Sequence, residues 1–484
     1  MFLYLLYYYL VKTTAARGEL PSLLFNSYEF IFVFWPISFI VYFLLNRFCP
    51  PLVGKLWLAL ASLFFYSYWS IKSLPLILAS IAFNYVMGRT ISHSTAKPLK
   101  LRKALLAAGI IGNLLLLGYY KYADFFITNV NSLFDSHIRL LELALPLGIS
   151  FFTFTQIAYL VDAYRGNAKE YSIVSYVLFV TFYPHLIAGP ILHHKEMMPQ
   201  FDRARSKHII PGNVARGLFV FCIGLFKKVV IADALAPIAT QGFDVSSGLG
   251  FIEAWTTSLA YTFQLYFDFS GYSDMAIGIA LLFNIKLPVN FNSPYKAVSI
   301  QDFWSRWHMT LSRFLKDYIY IPLGGNRKGT ARTYFNLIAT FLIGGFWHGA
   351  GWTFIIWGLL HGIAQVLHRL WRRTGITLPR WCGWLITFLF INATWVFFRA
   401  KTWDDALKVF RGMISLHQLH FSIDLASQVL YVIAAAAIAL FVRNSMEWTT
   451  RFKPTVKYAA IIAGLFVFSL LYFNQVSEFL YFTF

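Results

Sequence analysis

The chain has 484 residues, of which 58% are hydrophobic, 19% aromatic and only 13% charged. Soluble domains carry about 25% charged residues, so a water-soluble fold of this size could not cover its core. A formal net charge of +20 would suggest nucleic-acid binding in a soluble protein, but in a membrane protein basic residues collect in short cytoplasmic loops. The composition therefore predicts an all-α polytopic membrane protein with no nucleic-acid partner.

Apolar stretches near the length needed to cross a bilayer, about 17–25 residues, recur along the whole chain. Residues 1–23 precede the first of them and are predicted to form an N-terminal extension or an interfacial helix, whereas 24–484 form the transmembrane domain. The stretch 251–283 reads as one long helix or as two halves. The predicted helices are 28–46, 52–70, 73–88, 104–120, 143–164, 172–192, 215–237, 251–283, 334–347, 350–368, 383–398, 426–442 and 458–473.

The basic loops do not alternate simply between the two sides of the membrane. Three apparent spans separate the basic loop 89–103 from the basic loop 195–216. Cytoplasmic loops are enriched in Lys and Arg, so an odd number of spans between two such loops is inconsistent. Either one segment is re-entrant or one basic loop faces outward.

Segment 297–325 is amphipathic rather than uniformly apolar. Ser299 and Asp302 resemble a capping box at its start. A charged helix between two spans lies either at the membrane interface or inside a cavity lined by protein, and the pattern alone fits both. Its polar stripe, at helical spacing, consists of Arg306, Thr310, Arg313 and Asp317.

His348 is the most informative side chain of the sequence, because it interrupts an apolar run over residues 334–360. An ionisable group at membrane depth is costly and is a functional candidate for that reason. A neutral imidazole can take a proton from a hydroxyl near pH 7. The alternative is a histidine hydrogen-bonded between packed helices. Nearby glycines are expected to weaken the helix and to let a substrate pass close to the backbone: Gly344, Gly345, Gly349 and Gly351.

Other ionisable residues in apolar surroundings are His308, Asp268 and Asp274. His308 is either a second catalytic group or an interfacial residue between tryptophans. No third ligand stands beside either histidine, so we predict no metal site. Buried carboxylates are normally paired; the expected partners are Arg306 or Arg313, and a role in shaping the cavity is favoured over catalysis.

Several runs of the sequence occur in a characteristic order: 145–154 with 162–166, 182–190, 267–274, 302–308 with 317–325, and 346–352. Together they resemble the membrane-bound O-acyltransferase (MBOAT) family, in particular its bacterial branch that acetylates alginate, cellulose and peptidoglycan. The resemblance implies a ring of about 11–13 transmembrane or re-entrant helices around a central funnel, with His348 and His308 as catalytic residues. It places in the funnel wall Trp304, Arg306, Trp307, Asp268, Asp274, Gly345, Trp347 and Gly349.

The same resemblance implies acyl transfer across the bacterial inner membrane, with both histidines beside one cavity. An acetyl group would pass from a cytoplasmic thioester, acetyl-CoA, to a periplasmic hydroxyl of an exopolysaccharide or cell-wall polymer, without a bound cofactor. Expected partners are the lipid bilayer, a periplasmic SGNH-hydrolase-like acetyltransferase and a polysaccharide synthase or secretion complex. The alternatives are D-alanyl transfer to teichoic acid, or a polysaccharide or lipid exporter in which His348 lines a pore.

Overall fold

The computed structural model describes residues 23–93, 98–168, 172–415, 422–473 and 479–480, without the side chains of 204 and 205. These residues form helices and loops and no β-strand, which confirms the all-α prediction. The predicted N-terminal extension lies outside the described residues apart from Leu23. The described residues divide into two compact units: those up to 221 with 275–288, and 222–274 with those from 289 onward.

The first unit consists mostly of apolar helices and has a core of aromatic rings. Asn84 and Asn113 join two of these helices through a reciprocal pair of amide hydrogen bonds of 3.0 and 2.7 Å. Each buried amide thereby satisfies the other, as a membrane interior requires. The helices are Phe30–Phe48, Pro51–Trp69, Leu74–His93, Leu99–Leu117 continued by Ala123–Phe134, Ile149–Tyr164, Ile173–Thr181, Tyr183–Leu186, His194–Asp202 and most of Pro211–Phe226.

The predicted helix 172–192 is not a continuous span. It consists of Ile173–Thr181 and the single turn Tyr183–Leu186, with a break at Phe182. A helix of nine residues extends about 13 Å, too little to cross a hydrocarbon core of about 30 Å. Pro184 lacks the N–H that would continue the helical ladder across the break. One of the three apparent spans between the two basic loops is therefore not a continuous helix.

The second unit begins at Cys222, continues through the π-helical turn Lys227–Ala232 and contains most of one long helix, Phe251–Leu282. The stretch 251–283 is thus a single helix and not two halves. The other helices of at least five residues are Asp233–Thr240, Gln241–Val245, Ile300–Trp304, Met309–Leu315, Lys316–Tyr320, Thr330–His348, Trp352–Arg373, Arg380–Arg399, Trp403–Ile414, Ile423–Phe441, Ser445–Arg451 and Val456–Leu471.

Six helices of the described chain are long and apolar enough to cross a membrane. The chain is therefore a multi-pass membrane protein. The other helices are shorter, or carry more polar residues, than a simple span. The six are Phe30–Phe48, Pro51–Trp69, Ile71–His93, Leu99–Phe134, Arg380–Arg399 and Ile423–Phe441.

The amphipathic segment 297–325 departs from the continuous helix that its polar stripe implied. Helix Ile300–Trp304 ends, His308 adopts a left-handed conformation, and a new helix begins at Met309. The predicted cap is half present: Ser299 Oγ accepts from the Asp302 N–H at 3.1 Å, but the Asp302 carboxylate accepts from the Val298 N–H instead. Arg306 therefore precedes the helix that begins at Met309, and the other three residues of the polar stripe follow that point. The prediction that all four residues lie on one face of a continuous helix is wrong.

Candidate active site

His348 is the last residue of helix Thr330–His348, and Gly349 continues the chain in an extended conformation. Its side chain is 3% exposed and lies among aromatic rings. The edges of Trp357 and Phe398 meet it at centroid distances of 5.2 and 5.1 Å, with nearly perpendicular planes. These walls fix the direction of the imidazole and exclude bulk water from it.

His308 is completely buried and occupies the turn between two short helices. Its backbone is left-handed, with φ 42° and ψ 52°, which costs a non-glycine residue roughly 1–2 kcal/mol. Two backbone hydrogen bonds stabilise the turn: Met309 N–H donates to Asn290 O at 3.0 Å, and Asn292 N–H donates to Arg306 O at 2.9 Å. A strained residue that its surroundings enforce in this way is typical of a functional site.

The turn brings His308 next to His348, with ring centroids 6.5 Å apart and planes inclined by 59°. The proximity expected from the sequence is therefore present. Trp347 contacts both imidazoles, at 4.9 Å from His348 and 6.4 Å from His308. At this separation two neighbouring polar groups of one bound molecule can each reach one ring by a hydrogen bond of ordinary length.

Asn290 determines the tautomer of His308. Its Oδ1 accepts from the Thr310 N–H at 3.2 Å and from Thr310 Oγ1 at 2.9 Å, and it lies 3.2 Å from His308 Nδ1. The Thr310 N–H can only donate, so the Asn290 atom facing it is the oxygen, which can only accept. Nδ1 of His308 must therefore bear the proton, and in the neutral ring Nε2 keeps the lone pair.

Replacing Asn290 with leucine is expected to lower kcat roughly 5- to 150-fold, because a buried hydrogen bond of about 1–3 kcal/mol that orients His308 is lost. Thr310→Val is the matched control, since it removes a hydrogen bond to the same oxygen and leaves the His308 bond in place. Steady-state kinetics on equal amounts of membrane-inserted protein measure the difference. Equal losses in both variants would show that Asn290 acts only through the fold of the turn.

His361 and Trp304 form a closed hydrogen-bond chain beside the two histidines. Trp304 Nε1–H donates to His361 Nδ1 at 3.1 Å, and His361 Nε2 lies 3.2 Å from Thr394 Oγ1, which donates to Ile391 O at 2.9 Å. Because the indole can only donate, the His361 proton is on Nε2. Both nitrogens of this buried ring are thereby satisfied, which indicates a packing role for His361.

The helix ends at His348, before Gly349 and Gly351, as the glycines predicted, and Gly345 brings two helices together. A Cβ on Gly345 would lie 2.4 Å from Phe354 O, and one on Gly358 would lie 2.4 Å from Phe341 O. Helices Thr330–His348 and Trp352–Arg373 therefore pack backbone to backbone, as small residues allow in membranes. A Cβ on Gly349 would meet the Phe354 ring at 2.2 Å. Beside Gly345 and Gly349, protein atoms therefore fill the space that was expected to admit a substrate.

Trp307 and Arg306, expected in the funnel wall, have other contacts. Trp307 is buried and stacks on Phe303 at 5.8 Å, with Trp395 against it at 5.0 Å. Arg306 is partly exposed, and its Nε donates to Asp302 at 2.7 Å. Trp307 thus supports the turn that precedes His308, and Arg306 belongs to a local ion pair.

Asp268 and Asp274 form buried ion pairs, but with lysines rather than with Arg306 or Arg313. Lys228 Nζ lies 2.7 Å from Asp268 and 2.7 Å from Asp233, and Lys227 Nζ lies 2.6 Å from Asp274. The expected partners are wrong because helix Phe251–Leu282 packs directly against the lysine-bearing helix. A Cβ on Gly271 would lie 2.8 Å from the Gly224 carbonyl oxygen.

Four residues of this region were not singled out from the sequence: Lys227, Lys228, Asp233 and Asn290. The lysines could have been found from the sequence, because they lie in the apolar stretch 215–237 and charges at membrane depth pair with one another. Asn290 gives no such signal. Its role arises from the return of the loop onto the His308 turn. Among the described residues, no three His, Cys, Asp or Glu side chains are placed to hold a metal ion.

Comparison with known proteins gives consistent matches. The family model for MBOAT, the membrane-bound O-acyltransferase family, matches residues 140–402. A peptidoglycan O-acetyltransferase of Helicobacter pylori is 56% identical over 82% of this chain and 80% of its own length. A probable alginate O-acetylase AlgI of Azotobacter vinelandii is 41% identical over 81% of this chain and 78% of its own. A teichoic acid D-alanyltransferase of Streptococcus thermophilus is 28% identical over 48% of this chain and 59% of its own.

Proposed function

Because the chain belongs to the membrane-bound O-acyltransferase family and is an acyltransferase, we propose that it moves an acetyl group from cytoplasmic acetyl-CoA to a periplasmic hydroxyl. Family membership confirms the resemblance drawn from the sequence. The proposed location is the bacterial inner membrane. The observation that supports the reaction is the pair of buried imidazoles of His348 and His308, 6.5 Å apart in an aromatic enclosure.

His348 is the proposed general base. The acceptor hydroxyl gives its proton to the imidazole as its oxygen bonds to the thioester carbonyl carbon, which forms a tetrahedral oxyanion. The carbon–sulfur bond then breaks, and the departing thiolate takes the proton back from the imidazolium. The atoms and charges balance without a cofactor, and the products are an acetyl ester and a free thiol.

His308 is the proposed orienting residue. With its proton on Nδ1, directed to Asn290, the neutral ring presents a lone pair at Nε2. A lone pair accepts from a hydroxyl and cannot donate to an oxyanion. The reacting hydroxyl has one proton, which goes to His348, so the Nε2 lone pair of His308 accepts from a second O–H or N–H group of the acceptor and thereby orients it. This tautomer does not support a role for His308 in stabilising the oxyanion.

Peptidoglycan is the proposed final acceptor, ahead of alginate. The peptidoglycan O-acetyltransferase is 56% identical, against 41% for the alginate O-acetylase, over similar shares of the chain. We further propose that the acetyl group passes through a periplasmic SGNH-hydrolase-like partner, in contact with a polymer synthase or secretion complex. The immediate hydroxyl would then belong to the partner protein.

The proposal is tested by thiol release from acetyl-CoA. Purified protein in lipid nanodiscs, supplied with the partner and with peptidoglycan fragments, should release one thiol for each acetyl ester formed. An acetylated carrier protein that replaces acetyl-CoA, or transport of polymer without thiol release, would contradict the proposed donor. The His348→Ala variant in the same nanodiscs gives the background rate.

The basic loops are expected to raise the local concentration of the anionic donor. Exposed cations of the second unit include Arg327, Lys328 and Arg332, and CoA carries several phosphate charges. Raising the ionic strength from about 0.01 M to about 1 M shortens electrostatic screening from roughly 30 Å to 3 Å. The donor KM should rise several-fold while kcat stays nearly constant. If the donor KM does not change with salt, these charges serve membrane topology alone and do not attract the donor.

A further inference from the structure

A cavity of about 730 Å³ lies between helices Trp352–Arg373 and Arg380–Arg399, with segment 298–300 as its third wall. Its volume is typical of ligand sites, which span about 300–1,000 Å³. Phe390 lines it, and the His361 ring lies behind Phe390 at 5.4 Å. Since Trp357 stands between His361 and His348, this cavity is separate from the paired histidines.

The walls of the cavity are apolar and open to the exterior. Leu367 on one helix and Ile386 on the other are each 59% exposed, and Trp371 is 41% exposed. Helix Arg380–Arg399 is one of the candidate membrane spans. An exposed apolar groove beside such a span contacts hydrocarbon rather than water, so acyl chains are the molecules it meets first.

One end of the cavity is basic. Arg380 lines it and is exposed, and no described carboxylate lies within ion-pair distance of its guanidinium. His368 lines the cavity as well, whereas Arg372 and Arg373 donate to Gln301 and Thr330. Basic pockets between transmembrane helices attract anionic headgroups, at about 1 kcal/mol for each nearby Lys or Arg, or about fivefold in affinity.

We propose that this cavity binds one anionic phospholipid of the bilayer. An acyl chain lies between the two helices, against Ile363 and Leu367, and the phosphate lies at Arg380. Both parts of the molecule are needed, because the apolar walls match a chain and the basic end matches its headgroup. A neutral lipid fills the groove without the ionic contact, and a free phosphate lacks the chain.

The bound lipid would also support the active site. Val298 and Ile300 form one wall of the cavity, and Ile300 begins the short helix that ends at Trp304, just before the His308 turn. Trp384 Nε1–H donates to Tyr295 O at 2.9 Å, which attaches this segment to the lipid-facing helix. An acyl chain against Val298 and Ile300 therefore limits the movement of the segment that orients His308.

The experiment measures lipid retention by native mass spectrometry of the full chain, using palmitoyl-oleoyl phosphatidylglycerol against the phosphatidylcholine of the same chains. Wild type should retain one phosphatidylglycerol. Arg380→Gln should weaken retention about fivefold, and Ala364→Trp, which fills the cavity, should abolish it. Arg327→Gln and Leu370→Trp are the matched controls outside the cavity, and both should bind as wild type does.

Three outcomes would overturn the proposal: equal retention of the two lipids by wild type, undiminished retention by Ala364→Trp, or release of the lipid by acetyl-CoA or inorganic phosphate alone. If Ala364→Trp fails to insert, a photoreactive phosphatidylglycerol on wild type serves instead. Its cross-links should fall on the peptides that contain residues 360–371 and 378–390, and cross-links elsewhere would count against the site. None of these readouts depends on acetyl transfer.

Discussion

Replacing His348 with alanine is expected to lower acetyl transfer by about 10²- to 10⁴-fold, which is the usual effect of removing a general base. Its ring faces His308, and protein side chains enclose it, so water has poor access to replace it. The loss should appear in kcat, measured as thiol release per molecule of membrane-inserted protein. His308→Ala should be impaired as well, because water can only partly replace an orienting imidazole.

His361→Ala is the control for the packing contribution of a buried histidine in the same cluster. Its ring is satisfied by Trp304 and Thr394, so its removal should lower folding stability more than the turnover of the folded fraction. If His348→Ala retains wild-type kcat, the general-base assignment is wrong. If His361→Ala loses as much kcat at undiminished stability, the two histidines have been assigned to the wrong roles.

Replacing Lys228 with methionine is expected to cost about 3–5 kcal/mol of unfolding free energy, the usual effect of leaving a buried charge without its partner. Lys228 is fully buried between Asp233 and Asp268, at 2.7 Å from each. Without its cation, two carboxylates remain together in an apolar interior. The measurement is the unfolding midpoint and free energy in a denaturing-detergent titration.

The matched control is Lys401→Met, which removes a cation 70% exposed and 3.5 Å from Asp244. Exposed pairs contribute about 0–1 kcal/mol, so its effect should be small. The triple variant Lys228→Met, Asp233→Leu, Asp268→Leu should recover much of the loss, because apolar side chains of similar size often replace buried ion groups without cost. If the triple variant is no more stable than Lys228→Met, the three charged side chains contribute to stability by more than their mutual charge neutralisation.

The sequence by itself determined the class of the protein and singled out the residues proposed for its chemistry. Long apolar stretches with few charges, recurring along the chain, indicate membrane helices, because hydrocarbon forbids unpaired backbone groups. A histidine in such a stretch is costly enough to indicate function, which led to His348. The ordered motif runs identified the family and pointed to His308. The local sequence pattern was sufficient to predict those features that the hydrocarbon of the bilayer imposes on any chain within it.

Only the tertiary structure decided how these residues meet. The left-handed turn at His308 depends on hydrogen bonds from the 290–292 loop, which no local spacing encodes. Asp268 and Asp274 pair with lysines because the backbone at Gly224 packs closely against Gly271, which brings the lysine-bearing turn to the two carboxylates. The glycines around His348 were expected to leave room for a substrate, but atoms of the neighbouring helix occupy the space beside Gly345 and Gly349. Each of these outcomes depends on a contact between two different segments of the chain. The sequence pattern of one segment does not show which other segment packs against it.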